Sequence, residues 1–80
     1  MDDLEPLAQA WRDATARVDR LKGQLVGAAP ADMPRIAREM EAAGSQASEA
    51  METLRAALLA HPDPEAAGAW FKKDVLGIGG

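Results

Sequence analysis

The residues able to do chemistry are few and scattered. The chain has 80 residues, a single histidine and no cysteine. His61 is the one imidazole, and it stands beside Pro62 where a helix must stop. The hydroxyls Thr15, Ser45, Ser48 and Thr53 lack a histidine at helical spacing, so no nucleophile and base are brought together. Glu39, Glu41, Glu49 and Glu52 raise the possibility of a carboxylate metal cluster. A di-iron bundle also requires Glu-x-x-His pairs, and the chain has none. These glutamates are expected on a solvated face, in helical ion pairs such as Arg35 with Glu39, Arg38 with Glu41 and Glu52 with Arg55. The expectation is therefore no catalytic residue, no metal, no cofactor and no small-molecule substrate.

Arg12, Arg17, Arg20 and Lys22 make a locally basic stretch, the pattern that could meet a polyanion. Asp13 and Asp19 interrupt it, and the net charge of −4 with a pI near 4.8 opposes general nucleic-acid binding. The terminal Gly-Ile-Gly-Gly follows no strand and opens no helix, so it is not a phosphate loop. Its Gly-Gly end reads as fraying rather than as a processing site. No run approaches the roughly 18 apolar residues of a membrane span, and the acidic Met-Asp-Asp-Leu-Glu start is unlike a signal peptide. A cytoplasmic location is the expectation, within a larger particle or complex if the chain belongs to one. Abundant alanine, with arginine exceeding lysine, suggests a GC-rich bacterial or phage genome.

The elements that position these groups are punctuated by aspartate and proline. Asp3 before Pro6, Asp32 before Pro34 and Asp63 before Pro64 each resemble a helix start, because aspartate accepts from free first-turn N–H groups and proline needs none there. Gly27, His61-Pro62 and Gly77 resemble stops. Helices are expected at about 4–26, 33–60 and 64–75, with no strand competing. The fold class is all-α: an antiparallel, heptad-packed hairpin over 1–62, then a short third helix and glycine-rich tail over 63–80, making a small three-helix bundle.

Leu4, Leu7, Trp11, Ala14, Val18, Leu21 and Leu25 recur at alternating spacings of three and four on the first helix. Met33, Ile36, Met40, Ala43, Ala47, Ala50, Leu54 and Ala57 form the corresponding seam on the second. The short connection sets residues whose numbers sum to about 61 across from one another. Leu25 then lies near Ile36, Leu21 near Met40, Val18 near Ala43, and Trp11 near Ala50. Gly44, near the Ala14–Ala47 waist, suggests close packing or a slight bend.

The second helix carries an additional column, Ala37, Gly44, Met51 and Leu58, which the first helix is too narrow to cover. Met51, Leu58 and Leu59 therefore need another cover. Trp70 and Phe71 are expected to fold back onto them, whereas Val75, Leu76 and Ile78 lie beyond the reach of a three-turn helix. These eight residues are the candidate partner-binding set.

The function expected from this pattern is a non-catalytic protein–protein interaction module: a small helical subunit, adaptor or co-chaperone-like component of a larger assembly. Its partner is another protein or a second copy. Secretion co-chaperones and minor phage or capsid-assembly components include hairpins of this shape, a likeness of architecture alone. A small acidic inhibitor of one macromolecular enzyme is the alternative, and a nucleic-acid-associated regulator the weaker one.

Overall fold

A computed structural model describes residues 2–78. Helix α1 spans Glu5–Val26 and α2 spans Met33–Ala60; α3 covers Pro64–Trp70 and runs straight into a π-helical segment, Phe71–Val75. The architecture is the all-α hairpin with a short third helix. Its principal extents are 50 × 25 × 15 Å. Each α-helix carries a proline in its first turn, where a missing N–H costs nothing. Of the three expected aspartate caps, only Asp63 forms, its Oδ1 accepting from the Ala66 N–H at 3.2 Å. Leu4 takes the capping position of α1, and Asp32 sits before α2 in near-helical backbone, so neither side chain caps.

The register agrees with the expected pairing. Leu21, Ile36 and Ala43 form one buried cluster, flanked by Val18, Leu25, Ala28 and Met40. Farther along, Arg17 Nη1 donates to Gln46 Oε1 at 3.3 Å. At the open end, Leu4, Ala8, Leu54 and Ala67 are buried, contributed by α1 with its cap, α2 and α3. Two details differ from the heptad reading. Trp11 is only half-buried, whereas Ala8, which is not among the seam residues, is fully buried. The third segment returns to this end of the hairpin, packing on α2 and reaching α1 where Arg12 Nη2 donates to the Asp74 carbonyl at 2.8 Å. Nor does Gly44 mark a close approach: a Cβ built there meets nothing within 4 Å.

Two further stops have different geometry. Gly27 ends α1 at φ −100, an ordinary conformation. Gly77 alone among the described residues adopts the left-handed region, at φ +68. There the Leu76 N–H reaches the Phe71 carbonyl at 3.0 Å and the Ile78 N–H reaches Lys72 at 2.8 Å, closing the π segment. The expected fraying at Gly79 and Gly80 lies outside the described residues.

Candidate interaction surface

Several polar side chains serve local structure. The Thr15 hydroxyl donates within 3.0 Å of the Trp11 and Arg12 carbonyls, and Thr53 donates to the Glu49 carbonyl at 3.0 Å. Both hydroxyls thus serve their own helix. The Asp63 N–H donates to His61 Nδ1 at 3.0 Å, which leaves the ring proton on Nε2, 3.7 Å from Asp3 Oδ2. His61 therefore braces the turn between α2 and α3. Among the described residues no three of the His, Cys, Asp or Glu side chains converge on a common point, and no polar or charged residue is buried. No helix among the described residues is long and apolar enough to cross a membrane.

One side of the hairpin carries an open groove of about 520 Å³ between α1 and α2. Arg17 and Arg20 line it together with Asp13 and Glu49, and Ala14 and Ala50 form its floor. Charges of both signs alternate there, so the groove presents no concentrated field to an ion of either sign. Arg12, from the same basic stretch, is engaged elsewhere. Arg12 Nη1 bonds Glu5 Oε1 at 2.8 Å, and its Nη2 bonds the Asp74 backbone carbonyl at 2.8 Å. This guanidinium, read from sequence as part of a basic patch, ties α1 to the far end of the chain. Of the helical ion pairs, Arg35–Glu39 forms at 3.5 Å and Arg55–Glu52 at 3.9 Å, while Arg38 and Glu41 do not pair.

The eight candidate partner-binding residues divide by position. Met51, Leu58, Trp70, Phe71 and Val75 are half-buried, so the third segment shields this part of the structure incompletely. Val75 remains within the π segment, closer to the body than the sequence suggested. Leu59, Leu76 and Ile78 project into solvent, at 71%, 40% and 61% exposure. The structure adds two residues that sequence reasoning passed over: Val26 at 90% and Met33 at 42%, both at the loop end of the hairpin. Judged by its helix alone, Met33 belongs to the seam and Val26 to a helix end. The signal available in the sequence was the length of the third helix, too short to reach them. Comparisons with protein-family models, curated proteins and solved structures match nothing.

Proposed function

We infer that this chain is a non-catalytic protein-interaction module, a small helical subunit whose apolar surface is completed by another polypeptide in an assembly. The observation that carries the reading is the distribution of apolar exposure. Val26, Met33, Leu59, Leu76 and Ile78 stand in solvent, while the buried core among the described residues is Leu4, Ala8, Ala14, Leu21, Ile36, Ala43, Leu54 and Ala67. Five large apolar side chains outside, with alanine as half of the buried residues, is not what a self-sufficient small domain favours. The engagement of Arg12 within the chain and the mixed-charge groove favour a protein partner over a polyanion.

A photo-crosslinking residue placed at Leu59 or at Leu76 in the native host tests this. The expected result is a discrete crosslinked polypeptide that, once purified, binds the chain and binds it at least tenfold more weakly after Leu76→Asp. A chain that is monomeric and captures no polypeptide from either position overturns the reading.

A further inference from the structure

The side of the hairpin on which α3 packs is covered along only part of its length. The third segment, Pro64–Val75, extends less than about 18 Å, while the 28 residues of α2 extend about 42 Å. Helical azimuth shows the effect directly, because 18 residues make about five whole turns and return a side chain to the same face. Ala8 and Val26 share such a line on α1, as do Met51 and Met33 on α2. At the covered end Ala8 is 0% exposed and Met51 half-buried; at the bare end Val26 is 90% exposed and Met33 42%. On α2, Ala37, Met40 and Gly44 lie within about 40° of the methionine line; Ala37 is exposed, Gly44 half-buried, and Met40 half-buried with one side against the Leu21 cluster. The uncovered half is thus apolar along α2.

We propose that a second copy of this chain covers this bare half, running antiparallel about a two-fold axis so that the two loop-end halves form a four-helix contact. This rests on the interaction reading above and names its partner. Three observations select a second copy. The first is area: the chain exposes 5369 Å², against about 4,650 Å² for a compact monomer of 8.5 kDa. The excess of roughly 700 Å² approaches the ~800 Å² that each partner contributes to a stable interface. The second is shape. Leu76, 40% exposed, and Ile78, 61%, follow directly on the segment that ends the covered half. An antiparallel copy brings its own Val26 and Met33 toward that rim, so the exposed apolar residues of each chain meet those of the other. The third is charge. Asp19 and Lys22 lie within about 40° of the Ala8–Val26 line. When α1 crosses α1 of a second copy in antiparallel register, Asp19 of each faces Lys22 of the other, a self-complementary pattern that a two-fold axis requires. Leu59 lies at the opposite end of α2 and stays outside this contact.

Sedimentation equilibrium of the full chain tests the proposal. The expected species is a dimer of about 17 kDa, twice the 8.5 kDa chain, at tens of micromolar. Val26→Glu combined with Met33→Glu weakens dimerisation at least tenfold while far-UV circular dichroism keeps its helical signal, since both side chains are already exposed. Leu59→Glu leaves the dimer intact. A wild-type chain still monomeric at several hundred micromolar overturns the proposal, as does a dimer that survives the double substitution or is lost with Leu59→Glu. A monomeric wild type that nevertheless captures an identified protein in the host removes the second copy and leaves the interaction reading standing.

Discussion

At the scale of single residues, Gly44 and Arg12 reverse their sequence readings. A glycine inside a helix, beside a waist of alanines, suggests backbone contact, but the space around Gly44 is open. It lies within α2 and makes no use of glycine's conformational freedom. Gly44→Ala is therefore expected to raise stability by about 1 kcal/mol, the helix-propensity difference, measured by urea denaturation. A loss of stability would show that the position is closely packed after all. Arg12 was legible only as a positive charge. Its acceptor, a backbone carbonyl 62 residues away, leaves no trace in side-chain types or spacing. Ala8 likewise lies off the heptad seam and yet is fully buried.

At the scale of elements, the sequence was most readable where local rules act. Proline in each first turn and the heptad spacing locate the helices, and the short connection sets the register of α1 against α2. The caps were less readable, because whether an aspartate folds back on its helix depends on backbone angles that neighbouring residues decide. The π segment was not readable at all: no residue type in Phe-Lys-Lys-Asp-Val demands it. Its hold on the body is the Arg12 bond to the Asp74 carbonyl, which Glu5 orients from the other side of the guanidinium. Arg12→Ala is expected to speed amide exchange at Leu76 and Ile78 several-fold while leaving exchange in the middle of α2 unchanged. This corresponds to the loss of about 1 kcal/mol for a partly exposed charge-assisted bond. Arg12→Lys restores only part of the protection, since a single ammonium lacks the planar fork that serves both acceptors. Equal exchange in wild type and Arg12→Ala would show that the segment is held by its apolar contacts alone.

At the scale of the whole molecule, the candidate surface was half legible. The second apolar column on α2 and the unpartnered tail pointed to Leu59, Leu76 and Ile78, which do stand exposed. Val26 and Met33 were missed because exposure at the loop end depends on where a third element stops, a tertiary length rather than a pattern. That truncated cover leaves a body 15 Å across its thinnest dimension, with alanine as half of its buried residues. The thinness has a calorimetric consequence. The heat capacity of unfolding scales with the apolar area newly exposed to water, and here little of it is hidden in the single chain. Scanning calorimetry on the Val26→Glu, Met33→Glu chain is expected to give a value below the ~1 kcal/mol/K usual for 80 residues. A value at or above that would reveal apolar burial beyond the hairpin core. A heat capacity below that value flattens the curvature of the stability curve, so the free energy of the isolated chain would change only gradually with temperature.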